Sequence, residues 1–186
     1  VDMYRFVSGS WTFLREFTPT NVPDVDPAAF FGRAIALRGD LLVIGVPGED
    51  NNTTADVGAI QAIRNSAGGT WTSSSMVTYS ERMNPYLVAN AQFGASVAVS
   101  TRSVMGGAPE YDDPASAITN VGLAAGFTNG TSYTHEKIEN PSKSSGRQYG
   151  RSVAISDDGT FVIGAAPETS ATWAGPGRVY FGNINL

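Results

Sequence analysis

The 186-residue chain contains no cysteine. Disulfides, thiolate metal sites and cysteine nucleophiles are thereby excluded together. Histidine occurs once, at His135, followed by Glu136. A Ser-His-acid triad needs a serine and an orienting acid beside the histidine in space. His135 lies among alternating polar residues and reads as a surface position on an outer strand, so no catalytic residue is assigned and no enzyme is expected. Charge is also sparse: charged residues make up 16% of the chain and the net charge is −5. Without a basic stripe to track a phosphate backbone, no nucleic-acid partner is expected. No apolar run approaches the roughly 20 residues that span a bilayer, so no membrane span is expected. No stretch keeps a 3.6-residue apolar period for two turns, which leaves no helix of consequence. The chain opens on Val1, with neither an initiator Met nor a secretory signal; this reads as a processed form or a fragment.

Glycine, at 21 residues, is plentiful and falls in a repeating order. Phe31-Gly32 leads through two short apolar runs to Gly45-Val46-Pro47, crosses a polar loop, and meets a further apolar run ending at Ile63. Phe93-Gly94 leads likewise to Gly107-Ala108-Pro109 and Val121-Gly122-Leu123. Tyr149-Gly150 leads to Ala165-Ala166-Pro167 and Gly177-Arg178-Val179-Tyr180-Phe181. The openings are 62 and 56 residues apart, a period that marks a repeat architecture.

Each full repeat reads as four strands. The first mixes small and branched residues (Ala34–Leu37, Val97–Val99, Val153–Ile155) and is expected between neighbouring sheets, buried on both faces. The second is continuously apolar (Leu41–Ile44, Phe161–Ile163) and ends at Gly-x-Pro, where pairing stops. The third is Ala59–Ile63, Leu123–Phe127 or Arg178–Phe181. The fourth opens on an aromatic before threonine, Trp71-Thr72 or Tyr133-Thr134. Ahead of the repeats, Met3–Val7 and Trp11–Phe17 read as two strands around Ser8-Gly9, with Trp11-Thr12 matching the fourth-strand form. The period of two places Trp11, Phe13 and Phe17 on one face. The tally is two strands, four, four and three.

Four-stranded antiparallel units in tandem are the blades of a β-propeller. Phe-Gly followed by Gly-Ala-Pro and Gly-x-Val-Tyr, carried three times in register at residues 31, 93 and 149, resembles the FG-GAP repeat family, which includes the heads of integrin α chains. The expected fold is all-β: propeller-type blades of four antiparallel strands, about three and a fraction of them, in one domain over 1–186. Its parts are a partial blade and linker (1–29), repeats at 30–90 and 91–147, and a partial repeat at 148–186. The resemblance implies extracellular or cell-surface adhesion, recognition or scaffolding without catalysis. It also implies calcium in an acidic turn between the first two strands, but Arg38-Gly39-Asp40, Thr101-Arg102-Ser103 and Asp157-Asp158-Gly159 lack the oxygen ligands calcium takes. A second acidic cluster after each Pro makes Asp50, Asn52, Asp56, Asp112 and Asp113 weak calcium candidates; solvated loop carboxylates are the stronger reading, and no cofactor is required. Sequons at Asn51, Asn52 and Asn129 suit glycosylation in a secretory pathway. Arg38-Gly39-Asp40 spells an adhesion tripeptide but occupies a turn where Gly-Asp is ordinary turn chemistry.

Propellers close with at least four blades, and about seven in this family. Three and a fraction leave strand edges open, which folded proteins rarely do. Either the sequence is a fragment, or another copy completes the sheet. The strand carrying Trp11, Phe13 and Phe17 matches the fourth strand that the last repeat lacks. Donated between chains, it would form on the order of five main-chain hydrogen bonds of roughly 1 kcal/mol each. Burial of its three aromatics adds roughly 1.5–3 kcal/mol apiece. The expected partner is therefore a second copy of the chain, in a homo-oligomer or filament. A module that recognises glycans or cell-surface proteins is the alternative.

Overall fold

The computed structural model describes residues 1–19, 29–51, 53–65, 71, 76–77, 88–128, 135–166, 169–170, 173–174 and 177–184. Among them every element is a strand, every ladder between strands is antiparallel, and the sheets hold two to four strands without closing on one another. The fold is all-β and propeller-like, with an open ring.

A hairpin, β1 (Asp2–Val7) and β2 (Ser10–Glu16), comes first. The first blade is β3 (Ile35–Arg38), β4 (Leu41–Val46), β5 (Ala59–Asn65) and β6 (Met76–Val77), paired in that order. The second blade repeats it with β7 (Ser96–Val99), β8 (Ser103–Ala108), β9 (Leu123–Thr128) and β10 (His135–Glu139). The third has β11 (Ser152–Ile155) and β12 (Thr160–Ala165), then a small separate hairpin of β13 (Thr169–Ser170) and β14 (Trp173–Ala174), and finally β15 (Arg178–Asn183) beside β12. The β13–β14 hairpin sits in a loop with no apolar alternation to announce it.

Blades stack face to face, and the repeated glycines lie at the seams. Gly94 N–H donates to Gly107 O within the second blade at 2.9 Å, as Gly32 N–H does to Gly45 O in the first at 3.0 Å. Between blades, Gly58 bridges Phe93 and Gly122 bridges Tyr149 in parallel fashion. A Cβ on Gly107 would lie 1.9 Å from Gly150 O, and one on Gly45 2.0 Å from Gly94 O. The Gly of Gly-x-Pro is thus required by the close approach of the next blade's Phe-Gly or Tyr-Gly backbone. The aromatic of that pair fills the core: Phe93 is buried beneath Gly106, where a Cβ would stand 2.5 Å from its ring, and meets Phe127 edge-on at 6.1 Å. Tyr149 does the same one seam later, edge-on to Tyr180 at 5.1 Å, and burial pushes its phenol up to about 12.

Three apolar cores result. One joins the first and second blades through Val43, Ile60, Phe93, Val104 and Phe127. Another joins the second and third through Met105, Ala124, Tyr149, Phe161 and Ile163. The last lies between the hairpin and the first blade, where Met3 and Phe17 meet Leu42, Ile44, Ile63 and Trp71.

Two expectations fail for identifiable reasons. The first strands are not buried on both faces: Ile35 and Leu37 in β3 are 57% and 54% exposed. The sheet on that side is only two strands wide, and its core contacts are with Leu42, Ile44 and Ile63. Nor does Trp71 begin the fourth strand of the first blade. It lies outside β6, buried and edge-on to Phe17 at 6.2 Å, so the aromatic serves the core; Thr72 lies outside the described residues. The equivalent Tyr133-Thr134 lies outside the described residues.

Candidate functional site

Among the described residues, two sheets besides the small β13–β14 hairpin depart from the four-stranded blade: the β1–β2 hairpin and the three strands β11, β12 and β15. At the amino-terminal end, Tyr4 lies edge-on to Phe13 at 5.5 Å and Phe6 is tilted against Trp11 at 5.2 Å, giving two cross-strand aromatic pairs on one exposed face. Trp11 is 71% exposed. Phe17, expected on the same face, is fully buried. The cause is a bulge: Met3 pairs with Arg15 and Tyr4 with Phe13, leaving Leu14 as an extra residue. One extra residue reverses the alternation beyond it. Phe17, bonded to Val1 in both directions at 2.8 Å, therefore turns to the face of Met3 and packs against the first blade. β2 is laddered to β1 along one edge.

At the carboxy-terminal end, β15 pairs with β12 on one side and has no strand on the other among the described residues, where β5 has β6 and β9 has β10. Val162, Val179 and Phe181 share the outer face of this sheet: Val162 stands opposite Phe181 in the ladder, and Val179 is two residues from Phe181. All three are exposed, Phe181 at 83%. Sequence reasoning missed this face together with Ile35 and Leu37. Val179 and Phe181 occupy the register positions of Ala124 and Gly126, against which the third blade packs.

The acidic loops do something other than converge. Asp50 Oδ1 accepts the Asp56 N–H at 2.8 Å, and Asp112 Oδ1 accepts the Asn120 N–H at 2.7 Å, equivalent loop closures in successive repeats. Asp113 accepts the Ser116 hydroxyl at 2.6 Å, the Ala115 N–H at 3.1 Å and Lys143 Nζ at 3.2 Å. Its carboxyl is brought down to about 2, chiefly by Ser116 and Ala115 against the opposing effect of burial, with Lys143 adding to the shift. Lys143 and Lys137 both reach Glu139, at 3.3 and 2.7 Å, and hold its carboxyl below the usual range. These ion pairs fasten β10 to the loop beneath it. No group of three or more His, Asp or Glu among the described residues is placed to hold a metal. Asn51 lies in a short loop bridge to Thr54, partly exposed. Asn52 and Asn129 lie outside the described residues.

The inner turns meet near the axis of the stack. Arg38 pairs with Asp157 across two blades, and Asp157 also accepts the Thr101 N–H at 3.0 Å. That N–H, more than Arg38, lowers the Asp157 carboxyl against the opposing effect of burial. Asp40 accepts both contacts of Arg64 Nη1 at 2.9 and 3.0 Å. The charged residues of Arg38-Gly39-Asp40 are thus engaged within the chain, and Gly39 supplies the positive φ of the turn. On the loop side, a cleft of about 380 Å³ opens between Phe30, Arg33, Asp56, Gln92, Glu110 and Arg151. His135 is exposed on β10, with its ring 6.2 Å from Phe127.

Residues 11–63 match the FG-GAP repeat family. The matched span runs from Trp11 in β2 through the third strand of the first blade, so it takes in the outer strand of one unit and the inner three of the next. The chain therefore carries an FG-GAP repeat, a type found in extracellular and cell-surface proteins. No curated protein matches the chain.

Proposed function

We propose that this FG-GAP repeat chain is a non-catalytic, extracellular structural protein whose copies join by β-strand complementation into a filament or ring. The observation that carries the reading is the edge of β15, bare among the described residues, in a sheet with three strands where the two preceding blades have four. The β1–β2 hairpin forms a two-stranded sheet of its own. The donated unit is the β1–β2 hairpin rather than β2 alone, because β2 is laddered to β1 and anchored through Phe17. Main-chain pairing along a six-residue edge contributes on the order of five hydrogen bonds of roughly 1 kcal/mol net each. Burial of exposed aromatics adds roughly 1.5–3 kcal/mol per side chain, before ordering costs are subtracted. One end joining the opposite end is a heterologous contact, which yields a ring if the rotation closes and a filament if it does not. Light scattering on a sizing column, with electron microscopy of the eluted species, tests this. Multimers are expected; a folded particle of 19.5 kDa at micromolar concentration would sink it.

The loop-side cleft favours a second reading, an adhesion or recognition module for glycans or cell-surface proteins. Arg33 and Arg151 occupy equivalent places after Phe31-Gly32 and Tyr149-Gly150 and face it together with Asp56 and Glu110. Glycan-array binding that disappears in the Arg33→Ala, Arg151→Ala double variant, with the oligomeric state unchanged, would support this reading over the first.

A further inference from the structure

The loop-side cleft opens where one seam lacks what the other has. In each repeat the residue ahead of the aromatic-Gly pair (Phe30, Gln92 or Gln148) takes a positive φ. Its C=O accepts the N–H three residues on, from Arg33, Ala95 or Arg151. Gln92 N–H donates to Asp56 O at 3.1 Å, as Gln148 N–H does to Asn120 O at 3.0 Å, so the two seams correspond residue for residue. At the second seam, Arg151 Nη1 donates to Gln148 Oε1 at 2.5 Å and Gln148 Nε2 donates to Glu110 Oε1 at 2.6 Å, a polar chain across the junction. The corresponding positions at the first seam are Ala95, Gln92 and Gly48. Neither Ala95 nor Gly48 reaches across, and about 380 Å³ stands open there.

Phe30 forms one wall of this space. Its ring lies on Gly48, where a Cβ would come 2.8 Å from Cδ2, and the residue is 68% exposed. Arg33, Gln92 and Asp56 face the same space. Unlike those of Arg151 and Glu110, their side chains take part in no hydrogen bond or ion pair among the described residues. A guanidinium offers only donors, a carboxylate only acceptors, and an amide both. An occupant that satisfies all three brings an anionic acceptor for Arg33 and hydroxyls for Asp56 and Gln92, with an apolar face to lie on Phe30.

Resting on the recognition reading, the geometry points to an acidic saccharide, a sugar ring bearing a carboxylate, as the ligand of this cleft. The carboxylate meets Arg33, ring hydroxyls meet Gln92 and Asp56, and the apolar side of the ring lies against Phe30. A neutral sugar leaves the guanidinium unpaired, and a peptide carboxylate brings the anion without the hydroxyls. The net charge of −5 opposes a long polyanion, so the unit recognised is a single acidic residue and not a run of them. The volume, near the lower end for small-molecule sites, suits so small a unit.

Titration calorimetry of the full chain with methyl glucuronide, methyl glucoside and methyl glucoside 6-sulfate tests this. The glucuronide is expected to bind with a Kd of roughly 1 mM, the scale for so few ligand atoms. Its affinity should exceed that of the glucoside by about tenfold, the contribution of one charge-assisted hydrogen-bonded pair. Arg33→Gln is expected to abolish that preference while its circular dichroism matches the parent. Equal binding of glucuronide and glucoside, or a preference that survives Arg33→Gln, would overturn the proposal. Equal affinity for the sulfate would show that the cleft reads charge alone and would overturn the carboxylate assignment. Binding of none of the three would also overturn it. In each of these cases the glycan array decides the recognition reading separately: array binding lost in the Arg33→Ala, Arg151→Ala double variant leaves that reading standing with a different ligand, and a blank array removes it.

Discussion

Gly107 meets two constraints at once, as its N–H and C=O lie in the β8 ladder and its Cα lies against Gly150 of the next blade. A methyl there would meet a backbone oxygen, which does not yield as a side chain does. Gly107→Ala is therefore expected to destabilise the chain by about 2–3 kcal/mol, the upper range for overpacking, read as a drop in the urea midpoint. Gly39, which has open space where its Cβ would be, is limited only by its positive φ. Gly39→Ala should cost about 1 kcal/mol. Asp113 carries the clearest pH dependence. Its folded-state pKa is depressed to about 2, so its stabilising contribution is fully present above the ordinary carboxylate value and is lost as pH falls from about 4 toward 2. Denaturation midpoints measured between pH 5 and pH 2 should fall less steeply in Asp113→Asn than in the parent. Identical slopes would remove Asp113 from the account.

At the scale of the element, the β1–β2 hairpin shows how one inserted residue assigns roles. Its sequence reads as a regular strand with Trp11, Phe13 and Phe17 in step, and the even spacing of the three positions hides the bulge at Leu14. Two substitutions separate the faces that the bulge creates. Phe17→Ala opens the core shared with Leu42, Ile63 and Trp71 and is expected to cost about 3–5 kcal/mol. Phe13→Ser, on the exposed face, should change the stability of the isolated chain by only about 0.5 kcal/mol. A comparable loss from both would place Phe13 in the folding core and contradict the bulge. The third blade gives the converse case. The alternation of β15 was plain in Val179-Tyr180-Phe181, but alternation alone identifies two faces without saying which has a neighbour. Tyr180 faces the second blade and Phe181 faces outward.

Across the whole molecule, protection should follow position in the stack. β8 is paired on both sides and buried on both faces. Among the described residues β15 is paired on one side, and Val179 and Phe181 on its outer face are exposed. Hydrogen exchange in dilute solution should accordingly be slowest in β8 and markedly faster in β15 and β1. Raising the protein concentration should slow exchange in β15 and β1 while leaving β8 unchanged. If β8 responds equally, the concentration effect is a general stabilisation and not closure of the ends.

The order and turns of the strands, and their number apart from the β13–β14 hairpin, were legible in the sequence because they are local properties. Apolar alternation sets a strand, glycine at positive φ sets a turn, and proline after Gly-x stops a ladder. The triple recurrence of those signals was enough to give an all-β stack of blades and the tally of two, four, four and three strands. Burial was not legible in the same way, because it belongs to a strand's neighbours. Ile35 and Ile44 are the same residue type, directly paired in adjacent strands. Ile44 is covered by the hairpin, and Ile35 lies beyond its reach. Likewise, Gly126 and Phe181 occupy one register position, and only the presence or absence of the next sheet tells them apart. The sequence by itself determined the repeating unit and its turns, since these depend on backbone conformation and short-range pattern. Only the tertiary structure decided which faces remain open, since that depends on where one sheet ends and the next fails to cover it.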